Sequence, residues 1–247
     1  MIPLKSELDL EKLRISGRIL ARVMNSLGEF IDVGIATSEI DKLAEELIRR
    51  ENAEPAFKGY KGFTSSICTS INEEIVHGIP GPRKLKEGDI LSLDVGIKYE
   101  GYFSDAAVTI GIGKIDQKLK KLIDVTKAAL GVGIKQARAQ NHLFDISYAI
   151  QNYVERNGFS VVRQFVGHGI GRSLHEEPEI PNFGQAHSGP VLKSGMVLAI
   201  EPMVNMGTWE SKILDNGWTA VTEDGLASAH FEHTVAITDH GTEILTK

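Results

Sequence analysis

The chain has 247 residues and a formal net charge of −6, because 33 acidic side chains outnumber 27 basic ones. This charge excludes a protein that holds nucleic acid mainly by electrostatic attraction to phosphates. Apolar residues make up 42% and charged residues 24%, which is typical of a globular domain and excludes a mainly disordered chain. The lone cysteine, Cys68, excludes an internal disulfide.

The sequence favours a single domain over residues 1–247, since no Pro/Ser-rich linker and no charge run divides it. Near the N-terminus it has Lys5, Glu7 and Asp9, where a signal peptide needs an apolar run. No stretch approaches the ~18 uninterrupted apolar residues of a membrane span. We therefore expect a cytoplasmic protein without a membrane partner.

Two amphipathic helices are predicted in the first 50 residues. Apolar residues recur at steps of three and four over 8–30, and Gly34 ends this pattern. A second apolar stripe predicts a helix that ends near Arg50. Ser38, followed three residues later by Asp41, resembles a capping box at its start.

The rest of the chain alternates between strands and helices. An irregular segment over 63–83 precedes two β-rich segments, 89–96 and 101–110. A second pair of helices is predicted over 118–134 and 145–156. Short strands are then predicted over 160–165, 197–201, 218–221 and 229–237.

An internal repeat organises these elements. Residues 85–94 match residues 192–201 at a constant offset of 107, and both segments end an apolar strand in a carboxylate, Asp94 or Glu201. Two predicted helices precede each copy, which predicts related halves of about 1–113 and 114–247 that share one sheet. A site where the halves meet would collect both acids. The alternative is that Leu-Lys-x-Gly is only a common turn into a strand.

Two acids suggest a cation site. Asp94 and Asp105 lie at equal distances from a candidate turn at Tyr99 and Glu100. If this turn closes a two-residue hairpin, they face each other with Cβ atoms ~4.5–5.5 Å apart. Their repulsion would destabilise the hairpin unless a metal lies between them. The alternative is a pair of solvated strand carboxylates.

Other acids and histidines have equally unusual contexts. Glu201 ends an apolar run, and strand alternation puts Glu232 opposite the apolar face. His168 lies in Gly-His-Gly-Ile-Gly-Arg, His77 precedes Gly-Ile-Pro, and His175 begins His-Glu-Glu-Pro. For any of these histidines alone, a hydrogen-bonded structural role is the stronger interpretation.

In order and context, these seven positions resemble the type I methionine aminopeptidases, from about Lys5 to the C-terminus. The resemblance implies the pita-bread fold, an α/β (α+β) arrangement of pseudo-twofold helix-helix-strand halves around a mostly antiparallel curved sheet. It also implies a metallo-aminopeptidase that removes the initiator methionine from nascent proteins whose second residue is small. The implied partners are nascent N-termini at the ribosome, and the implied state is a monomer.

The same resemblance implies roles for individual residues. It implies two divalent metal ions. The oxygen-rich ligand set is suited to Mn, Fe, Co or Zn. The resemblance further implies that a metal-bridging hydroxide attacks the scissile carbonyl and that Glu201 shuttles the proton. By the same resemblance, His175 polarises the carbonyl and His77 contacts the scissile nitrogen. The implied metal ligands are Asp94, Asp105, His168, Glu201 and Glu232.

A methionine pocket is implied at Tyr60, Phe63, Cys68 and Trp218, where aromatic rings and a soft sulfur suit a thioether. Core packing would equally explain each of these residues. Leu174 stands where the family often has Phe, so the wall of the pocket can differ there.

Four alternatives stay open at this point. Prolidases and proline aminopeptidases share the ligand pattern but carry a large N-terminal domain, whereas 76 residues precede His77 here. Type II methionine aminopeptidases carry a helical insertion, for which the 26 positions from His175 to Glu201 leave no room. A binding module on the same fold would have no use for clustered acids. A dinuclear phosphatase would need cationic clamps, of which Arg172 is the only candidate near these motifs.

Overall fold

The computed structural model describes residues 2–247 as a mixed α/β fold. Its helices are α1 (Glu7–Phe30), α2 (Thr37–Arg50), α3 (Gln117–Gln136) and α4 (Leu143–Arg156), with a short 3-10 turn at Tyr60–Gly62. Its strands are β1 (Glu54–Pro55), β2 (Cys68–Ile71), β3 (Glu74–Val76), β4 (Ile90–Tyr99), β5 (Tyr102–Gly111), β6 (Ser160–Val161), β7 (Gly167–Gly169), β8 (Glu176–Ile180), β9 (Val197–Ile200), β10 (Met203–Asn205), β11 (Ser211–Ile213), β12 (Ala220–Thr222), β13 (Ser228–His230), β14 (Glu232–Thr238) and β15 (Gly241–Ile244). No helix within residues 2–247 is long and apolar enough to cross a membrane.

The four predicted helices are confirmed, each with ends within two residues of the pattern. The predicted capping box of α2 is wrong. Its N-cap is Ala36, whose backbone N–H donates to the Glu39 carboxylate at 2.8 Å. The Asp41 carboxylate instead accepts backbone N–H groups at residues 66–67, outside the helix.

The main sheet is antiparallel throughout and runs across the whole molecule. Its strand order is β1-β4-β5-β14-β9-β7-β8, with β2 also paired to β4 and β15 to β14. Two small sheets flank it, β13-β10-β6 and β11-β12-β3. The predicted α/β fold with a mostly antiparallel curved sheet is confirmed.

The observed strands differ from the predicted ones in several places, and β1, β7, β8, β10, β11 and β15 lie outside every predicted strand. The segment 63–83, predicted as irregular, contains β2 and β3, and the predicted strand 160–165 is only two residues long. The predicted strand 229–237 breaks at Phe231 into β13 and β14. These strands pair with distant parts of the chain, so local pattern could not set their limits.

The predicted turn at Tyr99–Glu100 is wrong by one residue. The hairpin turns at Glu100–Gly101, where φ is 47° and 83°, and glycine accommodates such positive values readily. The register therefore pairs Asp94 with Ala107 and leaves Asp105 diagonal to it. Because this shift is two residues, both carboxylates still lie on one face of the sheet.

Features of the repeat recur at matching places. The glycines that lead into β4 and β9, Gly88 and Gly195, have φ of 94° and 89°. An isolated bridge joins Ala36 to Lys84, and another joins His142 to Val191, just before α2 and α4. A separate apolar core lies under each pair of helices. The two parts meet where β5 pairs with β14.

Candidate active site

One cavity of about 210 Å³ collects the candidate residues. It lies against the main sheet on both sides of the junction between β5 and β14, because β2, β4, β5, β7 and β14 all contribute to its wall. All eleven predicted site residues line it: Tyr60, Phe63, Cys68, His77, Asp94, Asp105, His168, His175, Glu201, Trp218 and Glu232.

The acids and His168 form a compact group at the sheet. Ligand atoms of Asp105, His168 and Glu232 all lie within 4.8 Å of one another. Glu201, which directly follows β9, brings its Oε1 to 3.6 Å from His168 Nε2. Asp94 adjoins Asp105 on the neighbouring strand. Segments on both sides of the pairing between β5 and β14 thus supply donors to one point.

Burial makes this group unfavourable as free anions. It raises the pKa of Asp94, Glu201 and Glu232 well above the usual values, and the neighbouring carboxylates raise them further. Burial also raises the pKa of Asp105 to about 7. Divalent cations would reverse this penalty, because they favour the charged form of each carboxyl group.

Unpaired atoms and a fixed tautomer support metal binding here. Asp94 Oδ1 and Glu232 Oε1 are buried and find no hydrogen-bond partner within residues 2–247. His168 Nδ1 lies 2.9 Å from the carbonyl oxygen of Gly169, to which it donates when it carries the ring proton. The lone pair then resides on Nε2, the nitrogen that faces Glu201. Four carboxylates and one imidazole suit first-row divalent ions.

Neighbouring strands hold the ligands in place. The Thr234 hydroxyl accepts the Asp105 N–H at 2.9 Å and donates to the Asp105 carbonyl at 2.8 Å. The Ala106 N–H donates to Asp105 Oδ1 at 3.1 Å. The Asn182 side chain donates to the Glu201 carbonyl at 3.0 Å. These hydrogen bonds fix the backbone of two of the candidate ligands, Asp105 and Glu201.

Two further histidines line the cavity beside the acids. The His175 ring lies 4.2 Å from the His168 ring, measured between centroids, and its Nδ1 is 2.9 Å from the Tyr60 hydroxyl. Burial, and then the positive charge of Lys61, lower the pKa of His175. Burial lowers the pKa of His77 to about 4. Both imidazoles are therefore neutral near pH 7 and can each donate one N–H.

The remaining wall is apolar. The Phe63 and Trp218 rings meet edge to face with centroids 5.1 Å apart. Burial raises the pKa of the Cys68 thiol well above its usual value, so this cysteine is a neutral wall residue and not a nucleophile. Leu174 and Phe57 complete the apolar surface.

Sequence reasoning missed four residues near the site. Phe57 and Lys61 flank Tyr60 and line the cavity, and the Phe165 ring lies 5.4 Å from the His77 ring. His230 is buried with neither ring nitrogen hydrogen-bonded within residues 2–247, and its Nε2 lies 3.5 Å from Glu201 Oε2. The signal for His230 was its position two residues before Glu232.

Comparisons with known proteins agree with this geometry. The model of metallopeptidase family M24 matches residues 11–239. A methionine aminopeptidase of Clostridium perfringens is 54% identical over 246 residues, which is 100% of this chain and 99% of the relative. Methionine aminopeptidase 1 of Bacillus subtilis is 52% identical over 247 residues, covering 100% of both.

Solved structures show the same fold. The crystal structure of methionine aminopeptidase from Rickettsia prowazekii superposes with a TM-score of 0.99 at 40% identity, covering 100% of both chains. The prolidase from Pyrococcus furiosus gives a TM-score of 0.81 at 23% identity, covering 99% of this chain but 65% of that one. At that identity the prolidase shows a shared fold alone.

The fold, the buried ligand group and the family match define a metallopeptidase of family M24, which is a hydrolase. Within that family the chain belongs to the methionine aminopeptidases, as its identity to these enzymes over its full length shows.

Proposed function

We propose that this protein is a dinuclear metal-dependent aminopeptidase that removes an N-terminal methionine when the second residue is small. The observation that carries the proposal is the single cavity in which a five-donor ligand group, two neutral histidines and an apolar wall lie together. The donors would be Asp94, Asp105, His168, Glu201 and Glu232, of which Asp105 and Glu232 would be available to both ions.

In this proposal the substrate methionine fills the apolar part of the cavity. Phe63, Trp218 and Cys68 offer aromatic and thiol surface to a thioether. The free α-amine points to the ligand group, and the scissile carbonyl lies between His77 and His175. A bulky second residue would displace that carbonyl from attack geometry, which explains the preference for a small one.

The protein residues then divide the chemistry. When bound, divalent ions would acidify a water and polarise the scissile carbonyl. Glu201 accepts a proton from the attacking water and returns it to the leaving amine. His175 donates a hydrogen bond to the oxygen that becomes negative, and His77 contacts the scissile nitrogen. The Tyr60 hydroxyl supports this role of His175, since donation to Nδ1 leaves the ring proton on Nε2.

We further propose that the substrates are nascent polypeptides at the ribosome, in the cytoplasm, and that the enzyme acts as a monomer. Mn, Fe, Co and Zn all suit the ligand set, so the metal has to be identified by adding each ion back to metal-free protein.

A peptide panel tests the proposal. Metal-free protein is reloaded with Mn, Fe, Co or Zn and assayed on Met-Ala-Gly, Met-Leu-Gly, Leu-Ala-Gly, formyl-Met-Ala-Gly and an Xaa-Pro peptide. We expect fast cleavage of Met-Ala-Gly alone, and only with metal. The formylated peptide should resist cleavage, because a formamide nitrogen has no basic lone pair to bind a cation. Equal rates on Met-Leu-Gly would overturn the second-residue rule. Preference for the Xaa-Pro peptide would favour a prolidase.

A further inference from the structure

A cationic side chain stands at the mouth of the cavity. Lys61 is exposed, lines the cavity, and holds its Nζ 5.4 Å from the centroid of the Tyr60 ring. The Tyr60 ring in turn stacks on His175 with centroids 5.2 Å apart. The ammonium group is therefore one aromatic ring away from a histidine of the site.

The backbone fixes this position. Lys61 has φ of 47°, in the left-handed region that non-glycine residues rarely adopt, between Gly59 and Gly62 with φ of 86° and 91°. The Phe63 N–H closes the turn onto the Tyr60 carbonyl at 2.9 Å. The turn thus carries Lys61 next to Tyr60 while Phe63 joins the apolar wall.

The charge of Lys61 is uncompensated within residues 2–247. It forms no salt bridge there, whereas Lys58, three residues earlier, pairs with Glu45 at 2.7 Å. A cation that is exposed, unpaired and held at the mouth of a binding cavity is free to pair with a group on the ligand.

The size of the cavity determines which part of a peptide meets this cation. At about 210 Å³, the cavity is smaller than the ~300–1,000 Å³ common for ligand pockets. With methionine in the apolar part and the second residue at His175, the third residue has to leave through the mouth. In that orientation its side chain would pass the turn that carries Lys61, an exposed residue of the cavity lining.

We propose that Lys61 is a specificity-determining residue that favours an acidic side chain at the third position of the substrate and disfavours a basic one. This inference rests on the proposed function, since it assumes the orientation in which methionine lies innermost. The net charge of −6 gives the opposite expectation, because the overall field of the protein attracts basic peptides. A preference for acidic peptides therefore requires a local cation.

The experiment compares peptides that differ only in charge. The metal-loaded enzyme is assayed on Met-Ala-Glu-Gly, Met-Ala-Gln-Gly and Met-Ala-Lys-Gly, all amidated at the C-terminus so that no terminal carboxylate competes. Exposed ion pairs are weak, so we expect kcat/KM to rise about two- to fivefold from Gln to Glu and to fall by a similar factor from Gln to Lys. Raising the ionic strength from ~0.01 M to ~1 M should reduce both ratios towards one.

Variants assign the effect to one side chain. In Lys61→Gln the Glu/Gln and Lys/Gln ratios should approach one, and in Lys61→Glu they should invert. Lys58→Gln is the matched control, since it removes a nearby charge that is already paired with Glu45, and it should keep the wild-type ratios.

The outcomes separate the two proposals. The role of Lys61 would be overturned if Lys61→Gln kept the wild-type ratios. It would also be overturned if the ratios in Lys58→Gln approached one to the same extent as in Lys61→Gln. Failure of the wild type to cleave any of the three peptides would instead overturn the proposed function. Each ratio is measured within one variant, so a general loss of activity does not affect the comparison.

Discussion

The surroundings of Asp105 suit a metal ligand in several ways. It is buried, its Oδ1 accepts a backbone N–H, and its ligand atom belongs to the same compact group as those of His168 and Glu232. We predict that Asp105→Asn abolishes turnover, because a neutral amide would be a poor ligand to share between the two cations of the proposed site. Metal content by elemental analysis and kcat on Met-Ala-Gly check this prediction.

A surface variant controls for the change of charge. Asp239 is exposed in the turn between β14 and β15, so Asp239→Asn should keep wild-type activity and metal content. If Asp105→Asn also kept both, Asp105 would not be a shared ligand.

Substitution of His175 should lower the catalytic rate without changing the metal content. In the proposed mechanism His175 donates to the developing oxyanion and acts mainly in the transition state, where such a donor contributes ~2.7–4 kcal/mol. We predict that His175→Ala lowers kcat by about 10²–10³-fold and leaves metal content unchanged. Because its ring lies 4.2 Å from that of His168, metal analysis is needed beside the kinetics. Loss of a stoichiometric ion would make His175 a ligand.

Local sequence context predicted which residues the cavity would gather, but not all of their relations. No single motif was enough, but the ordered series of acids and histidines, through its resemblance to the methionine aminopeptidases, predicted that they belong to one site. The register between Asp94 and Asp105 was missed, because the position of the turn depends on the positive φ of Glu100 and Gly101. His230 was missed because its burial beside Glu201 comes from tertiary packing.

At the scale of elements, the N-terminal segment braces the loop between His168 and His175. Lys5 and Glu176 form an ion pair whose side chains are only 7% and 12% exposed. Glu176 also accepts the backbone N–H groups of Arg172 at 2.8 Å and Ser173 at 3.1 Å. A Cβ at Gly171 would overlap Lys5, so glycine permits this close packing.

Glu176→Gln tests this brace. The variant leaves the Lys5 ammonium buried without a counter-charge, which costs ~3–5 kcal/mol when a buried pair is broken. We predict a clearly lower Tm, by roughly 10 °C at ~2–4 °C per kcal/mol, together with a lower kcat. Glu177→Gln is the matched control. The Glu177 carboxylate follows Glu176 directly in the chain, but it is exposed and forms no salt bridge within residues 2–247. A Tm equal to that of the wild type would show that the pair adds little stability.

Helices were predictable and short strands were not, for a physical reason. The apolar periodicity of α1 to α4 reports which face is buried, and this signal is local. Strands β2 and β3 are three or four residues long and are defined by pairing with β4 and β12. A pairing of that kind depends on distant residues, so the segment 63–83 carried no sufficient local pattern.

In the molecule as a whole, the candidate metal group draws its residues from both of the predicted halves. Asp94 and Asp105 come from β4 and β5, whereas His168 and Glu232 come from strands beyond α4 and Glu201 directly follows β9. Where β5 meets β14, Ala107 pairs directly with Glu232. Cations held by this group would therefore link both halves, so metal binding should stabilise the whole fold and not one loop.

Removal of metal should consequently lower the Tm, and the loss should depend on pH. The pKa of the buried Asp105 carboxyl group in the folded protein is about 7, which is higher than the pKa of ~4 that such a group has in the unfolded chain. Such groups stabilise the metal-free fold fully below pH ~4, and this contribution is lost as the pH rises towards 7. Bound cations remove the penalty, since they bind the charged form.

We therefore predict that the Tm of metal-free protein falls between pH 5 and pH ~7.5, while the Tm of metal-loaded protein stays nearly constant or rises. Differential scanning fluorimetry after chelation and after reloading with Mn measures both curves. Asp105→Asn should flatten the metal-free curve, since it removes one of the titrating groups. Parallel curves for metal-free and metal-loaded protein would mean that the buried carboxylates do not bind the cations that stabilise the fold.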